Sequence, residues 1–462
     1  MTRERHPLTL ATLCLAVLVA QLDTAVVNLA TRPIGAHFHA GVGALQWVLD
    51  SYNLVYAVLL LTGGLLADLY GRRRAFMVGV GIFVVASLVC AGAPSIGVLI
   101  AGRAGTGLGA ALLVPASLAI IRVAWRDETE RGRALGIWAA CNGLAMAIGP
   151  TLGGLLIHAF GWRSIFLVVI PVGAAALVLA PRAIEESADP HGRSFDAAAQ
   201  ALGAAVLGGL ALAAIESHGR PLVAAIAFVA ALVALAFFLQ IERRQGEAAL
   251  VPIDIFRADA FRGAIAATAA MTFGMYGVLF LVPLTWQSSG ALSATQAGLA
   301  LMPMALVFVL LSPLSGRLTE KLGVRAMTAG GVAVIGVGLL VIAIGADRSS
   351  IAVDEVGLVL TGLGMGIATG PLMAAAVGAV ERARSGTASA LINVARMAGA
   401  TIGVAVLGAV YALAGGGADG LALAMLAGGA VQLAGAATAW TAMRERRAPR
   451  RRAGRAARSG ST

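Results

Sequence analysis

Gly64-Leu-Leu-Ala-Asp68-Leu-Tyr-Gly71-Arg72-Arg73-Arg74 interrupts two long apolar runs, and a fainter copy, Gly316-Arg-Leu-Thr-Glu320-Lys-Leu-Gly323-Val-Arg325, follows 252 positions later. Gly64, Leu66, Asp68, Gly71 and Arg73 pair across that offset with Gly316, Leu318, Glu320, Gly323 and Arg325. A short turn holding an acid, a glycine and arginines between apolar runs reads as a tight connection between two membrane spans. Its recurrence reads as a duplicated architecture.

Composition supports that reading along the whole chain. Of 462 residues, 59% are hydrophobic and 12% charged, where a soluble domain averages about 25% charged. Apolar runs of the length needed to cross a ~30 Å hydrocarbon core recur from end to end. Fifty-nine glycines suit helices that pack closely within a membrane. Cys14, Cys90 and Cys141 lie in apolar runs without ligand spacing, so packing is expected of them rather than a disulfide framework or metal site. The first run follows Arg3 and Arg5 as a signal peptide would. It continues through Asp23 and Asn28, however, and many more spans follow it.

Fourteen spans are expected, at roughly 8–30, 45–68, 75–93, 95–121, 133–158, 162–181, 197–215, 221–240, 260–285, 294–315, 325–345, 354–378, 386–413 and 419–442. With the N-terminus inside, 28 of the 34 lysines and arginines fall in cytoplasmic segments. Only Arg32, Arg163, Arg220 and Arg348 fall outside, and Arg103 and Arg396 remain within spans. That asymmetry is a positive-inside signal, and an odd number of spans would put the basic tail on the wrong side. Further repeats align Gly132, Ala134, Ile148 and Gly149 with Gly386, Ala388, Ile402 and Gly403, and Gly105-Thr-Gly107-Leu-Gly109 with Gly362-Leu-Gly364-Met-Gly366. An offset of about 252 exceeds a six-span half by two spans. The expected architecture is therefore an all-α polytopic 6+2+6 protein with both termini cytoplasmic. Its parts are a six-helix half at 1–181, an inserted pair with linkers at 182–258, a second half at 259–442, and a disordered basic tail at 443–462. Parallel halves around a midplane site are a transporter arrangement.

The motifs carry a resemblance beyond this. Gly64-x-Leu66-Ala67-Asp68-x-x-Gly71-Arg72-Arg73 resembles the loop between spans two and three of the major facilitator superfamily. Leu22-Asp23-Thr24-x-Val26-Val27-Asn28-x-Ala30 resembles the first-span motif of its fourteen-span drug:proton antiporters. Leu99-x-x-x-Arg103-x-x-Thr106-Gly107-x-Gly109-Ala110 and Gly149-Pro150-x-x-Gly153-Gly154 resemble the span-four and span-five motifs. Trp162 to Phe166, Pro283 to Gln287 and Ser389 to Gly403 are similar to the same family. Thr106 and Val169 depart from it, standing where glutamine and asparagine are usual. The span at 294–315 carries no acid, whereas some members hold one there for dicationic compounds; dications are therefore not expected substrates.

The resemblance implies roles for particular residues. Asp23 lies deep in the first span, where a charged carboxylate costs roughly 2.5–3.5 kcal/mol on insertion scales; proton coupling or cation binding is one reading and a structural hydrogen bond the other. Arg103, at a compatible depth, is expected to couple to Asp23 or to lock spans one and four as a static pair. Asp50 enters the second span after the interfacial Trp47 and is either a second protonation site or an interfacial residue. Gly64, Asp68, Gly71, Arg72 and Arg73 form the expected gating latch, and Gly149, Pro150, Gly153 and Gly154 the expected antiporter hinge. Gln21, Asn28, Tyr52, Tyr56, Met271, Met275, Tyr276 and Arg396 are candidates for a substrate cavity.

Other patterns are weighed and set aside. Gly105-x-Gly107-x-x-Ala110 matches a loose dinucleotide fingerprint but lies inside an apolar span without a strand before it. His37, His39, His158 and His218 read as solvated loop residues rather than metal ligands. The arginine-rich tail suits anionic lipid rather than nucleic acid. The chain's one lysine, Lys321, is outside any P-loop context, so transport draws on an ion gradient or on a separate ATPase. No cofactor, metal or catalytic residue is expected.

The expected function is that of a proton-coupled secondary antiporter in the bacterial plasma membrane, not an enzyme. It exports lipophilic drugs or cell-made metabolites as a monomer, by alternating access, and so confers antibiotic resistance. The rival readings are an importer or facilitator of a small nutrient on the same fold, and a non-transporting membrane receptor or scaffold.

Overall fold

The computed structural model describes residues 6–189, 196–217, 219–245, 251, 253–381 and 384–443, and all regular structure among them is helical. The helices are α1 (His6–Phe38), α2 (Val42–Tyr70), α3 (Arg72–Ala91), α4 (Ile96–Ala124), α5 (Glu128–Phe160), α6 (Ser164–Leu167), α7 (Val169–Ala183), α8 (Ala197–Glu216), α9 (Pro221–Gln245), α10 (Asp259–Ser288), α11 (Ala294–Leu311), α12 (Ser315–Leu322), α13 (Val324–Asp347), α14 (Ile351–Gly378), α15 (Ser385–Leu413) and α16 (Gly417–Ala442). Among the described residues, thirteen stretches are long and apolar enough to cross a membrane. Counting α5 as one span despite its bend of about 40° between Ala145 and Ile148 gives fourteen.

The ends of the helices follow local chemistry. Ser95 and Asp127 accept from the backbone N–H groups of Val98 and Glu130 at 3.4 and 2.9 Å, and Ser293 with Gln296 forms a capping box. These bonds satisfy first-turn donors that have no partner within the helix. At the opening motif and its copy, one glycine joins two helices. Gly71 has φ +109° and Gly323 φ +83°, a region that costs side chains with a Cβ roughly 1–2 kcal/mol.

Three spans differ from their expected outlines. The first runs on to Phe38, taking in Arg32, which is exposed. The sixth breaks at Val168 into α6 and α7. The tenth passes through a 3-10 turn at Ser312–Leu314, where Pro313 cannot supply a backbone donor, and continues as α12. The basic tail beyond Met443 and the loop residue His218 lie outside the described residues.

Packing repeats itself. In α4, Gly107 lies against the backbone of Tyr52 on α2, where a Cβ would come within 2.6 Å of a carbonyl oxygen, and Gly109 lies against Gly79 and Phe83 on α3. In α14, Gly362 and Gly366 lie against α11, and Gly364 against Gly331 on α13. The glycine triplet that loosely matched a nucleotide fingerprint is thus a helix-packing surface, and so is its copy. Helices α1–α7 pack mainly on one another, as do α10–α16. The two sets meet along α5–α11, α2–α15 and, more lightly, α1–α10. Among the described residues, three side chains hydrogen-bond across the divide: Gln46 to Val404 O (2.9 Å) and Ala405 O (2.8 Å), Gln287 to Leu29 O (3.2 Å), and Thr295 to Gly154 O (3.0 Å). All lie in the half of the molecule away from the termini. Helix α8 rests on both α2 and α15, and α9 packs on α8 with much of its apolar surface exposed.

Candidate functional site

The close approach at Gly107 brings α4 against α2, and Arg103 uses it. Arg103 is 1% exposed, and its Nη1 donates to Asp23 Oδ2 on α1, which is itself fully buried. Its Nε donates to Val48 O on α2 at 3.0 Å, and Nη1 also reaches Thr106 Oγ1 at 3.3 Å. The guanidinium carbon stands 4.7 Å from the centre of the Tyr52 ring. One arginine therefore ties α1, α2 and α4 together through a buried ion pair, and Thr106 contributes an oxygen where a longer side chain was expected. The second carboxylate oxygen, Asp23 Oδ1, accepts no hydrogen bond.

A small cavity of about 10 Å³, the room of a single water, lies beside the pair, lined by Thr24, Asn28, Leu49, Tyr52, Asn53, Arg103, Tyr276 and Val404. It draws on α1, α2, α4, α10 and α15, so it lies between the two sets of helices. Drug-sized ligands occupy roughly 300–1,000 Å³, so a substrate has to part the sets to fit. Tyr56 packs at a tilt against Tyr52, with ring centres 5.9 Å apart. Asn28 donates to Thr24 O at 3.0 Å. Gln21 is half-buried and outside this lining. Met271 and Met275 are buried in the core of α10, Met271 beneath Thr369 and Gln432, rather than in the cavity wall.

Asp50 is fully buried on α2, and neither of its oxygens has a hydrogen-bond partner. One turn away, Gln46 bonds α15. Ser51 Oγ, Asn53 Oδ1 and Thr401 Oγ1 are also buried without partners. Arg396, on α15, has a buried Nε with no hydrogen bond, and the ionisable groups that interact with it are the phenols of Tyr56 and Tyr276.

At the termini side, Arg72 grips Asp68 at 2.8 Å. The N-terminus of α3 is occupied by Glu186, which follows α7, rather than by Asp68. Glu186 accepts from the backbone N–H groups of Arg73 and Arg74 at 3.0 and 3.1 Å, where an anion meets the positive end of the helix dipole. Arg72 N donates to Ser187 O and Asp189 N to Asp68 O, so the segment after α7 is laced onto the loop at Gly71. Gly64, in α2, faces Pro115 of α4. Further along the same side, Arg384 donates to Asp254 and holds its carboxyl below the usual carboxylate range. In α5, Gly149 and Gly153 lie against Ala25 and Val26 of α1, Gly154 lies against Ala294 and Thr295 of α11, and the Pro150 carbonyl faces Gly298. These four residues are where α5 touches both sets, just beyond its bend.

Sequence reasoning missed Gln46, Gln287 and Glu186. The two glutamines carried a signal, since an amide inside an apolar span must find partners.

The Major Facilitator Superfamily model matches residues 13–404. The chain belongs to the Major Facilitator Superfamily. It is 38% identical over 408 residues to the multidrug resistance protein Stp of Mycobacterium tuberculosis, covering 88% of this chain and 76% of that one. It is 33% identical over 440 residues to the methylenomycin A resistance protein of Bacillus subtilis, covering 93% of each. Among solved structures, the peptide transporter POT in complex with sulfate superposes with a TM-score of 0.73 over 94% of each chain, at 16% identity, which shows a shared fold. As a member of this superfamily with thirteen to fourteen apolar helices and bacterial relatives, the chain is a multi-pass protein of the bacterial inner membrane.

Proposed function

We propose that this chain exports lipophilic drugs or cell-made metabolites in exchange for protons, by alternating access and without catalysing a chemical step. The names of its relatives supply the export of drugs. The observation that carries proton coupling is the sealed Asp23–Arg103 pair at the wall of the central cavity. A buried ion pair is held by its two charges together, and removing one charge leaves the other stranded. Protonating Asp23 therefore frees Arg103 from α1 and loosens the tie among α1, α2 and α4. Asp50, buried without a counter-ion, is the second candidate to carry a proton.

On this reading residues 1–181 and 259–442 are the two halves that rock against each other, with the pair α8–α9 inserted between them, and the chain acts as a monomer. With the termini in the cytoplasm, as the excess of basic residues in the connecting segments favours, the hydrogen bonds of Gln46, Gln287 and Thr295 close the outer side. Asp68, Arg72 and Glu186 form the latch on the inner side. Gly149 and Pro150, where the α5 bend meets α11, form the hinge.

The test is reconstitution into proteoliposomes with an imposed pH gradient, read with a panel of fluorescent compounds. The unaltered chain moves at least one compound against its gradient. Asp23→Asn cuts gradient-driven flux by about 100-fold or more, in the range lost when a proton-transferring group is removed. Flux indifferent to the gradient, or unchanged in Asp23→Asn, refutes proton coupling through this residue.

A further inference from the structure

On α15, whose Val404 lines the central cavity, one arginine has no carboxylate partner among the described residues. Arg396 sits on α15 where that helix packs against both α2 and α10. Its Nε is out of reach of solvent and donates to nothing. The ionisable groups acting on it are the phenols of Tyr56 and Tyr276, and Tyr276 lines the cavity itself. Asp23 is bound by Arg103, and among the described residues Arg396 forms no ion pair with a carboxylate.

A guanidinium retained in an apolar span needs a partner or a water-filled cavity, because an unsatisfied buried charge is costly. Its planar fork matches carboxylate, sulfonate or enolate oxygens. Tyr52 and Tyr276 in the cavity lining, with Tyr56 against Tyr52, offer flat aromatic surface. We propose that the exported compound carries an acidic group on an aromatic or apolar body, and that Arg396 is the counter-ion of that group. The proposal rests on the exporter reading, and it specifies the charge of the cargo.

It has an energetic consequence. One proton entering while one monoanion leaves moves two positive charges inward, whereas a monovalent cation exchanged for one proton moves none. An interior-negative potential therefore drives export of the acid directly.

Three probes separate the possibilities on the purified full chain: 8-anilinonaphthalene-1-sulfonate, the uncharged N-phenyl-1-naphthylamine that shares its aromatic body, and the cation ethidium. Equilibrium binding to the unaltered chain favours the sulfonate over the uncharged probe by about tenfold or more, the worth of one charge-assisted hydrogen bond. Arg396→Gln erases that preference and Arg396→Lys keeps most of it, while binding of the uncharged probe stays within about twofold in both. In proteoliposomes a valinomycin-set negative potential speeds export of the sulfonate. Ethidium or the uncharged probe binding as well as the anion overturns the proposal on the unaltered chain alone, whether or not Arg396→Gln folds. An anion preference that survives Arg396→Gln overturns the role of Arg396. Arg396-dependent anion binding with no pH-driven flux of any probe refutes the exporter reading and leaves the anion site standing.

Discussion

In α1–α7 the buried arginine, Arg103, has a carboxylate beside it; in α10–α16 the half-buried Arg396 has an Nε without a partner and two phenols acting on it. The loops at Gly71 and Gly323 differ in the same direction. Around Gly71, Asp68, Glu186, Ser187 and Asp189 form a bonded knot. Around Gly323, Arg325 lies over Trp440 at 3.9 Å and donates to its carbonyl at 2.6 Å. The glycines recur in both copies and so does the motif acid, Asp68 and Glu320, but of these two acids only Asp68 is bonded to an arginine among the described residues. A repeated scaffold thus holds one set in which charges are paired off internally and another in which a charge is left for something that arrives.

The sharpest way to break this comparison is to strip the pairing from the first set. Asp23→Asn strands Arg103 and lowers thermal stability in detergent by about 3–5 kcal/mol, and the double variant Asp23→Asn with Arg103→Gln recovers part of that loss. If the double variant is no more stable than the single one, the pair is not the element that holds α1 to α4. A smaller effect tests the knot around Gly71. Gly71→Ala meets both an unfavourable φ and the Glu186 carboxylate within 2.8–3.0 Å. It therefore costs more than the roughly 1–2 kcal/mol of the φ alone; a loss within that range in the same thermal assay shows that Glu186 yields at no cost. The smallest effect is Glu186→Gln, which weakens the anion at the N-terminus of α3 by about 0.3–1 kcal/mol at low salt and less at high salt. A salt-independent difference shows that the contact is not electrostatic.

The helices were legible in the sequence because each apolar run of span length is bounded by a cap, a glycine or a charge. Asp23 and Arg103 were legible as partners because two opposite charges at compatible depth in separate spans have few other ways to be accommodated. Glu186 was not, since its partners are backbone N–H groups, which every residue carries. Gln46 was hidden for the same reason, its acceptor lying 358 positions along the chain. The methionines misled because a soft apolar stripe looks alike whether it faces a cavity or another helix. Only the neighbours of α10 show that Met271 is covered by Thr369 and Gln432.

The pair α8–α9 gives the molecule two unlike flanks. Gln200 of α8 bonds Val58 O and Thr62 on α2, while Ala211 and Ile215 pack with Trp47 and Ala405, so one helix spans the α2–α15 seam along its length. The α5–α11 seam carries no such cover among the described residues. A compound dissolved in the bilayer therefore meets one seam covered by a helix and, on the other side, a seam without such cover. The molecule has a front and a back with respect to the lipid around it.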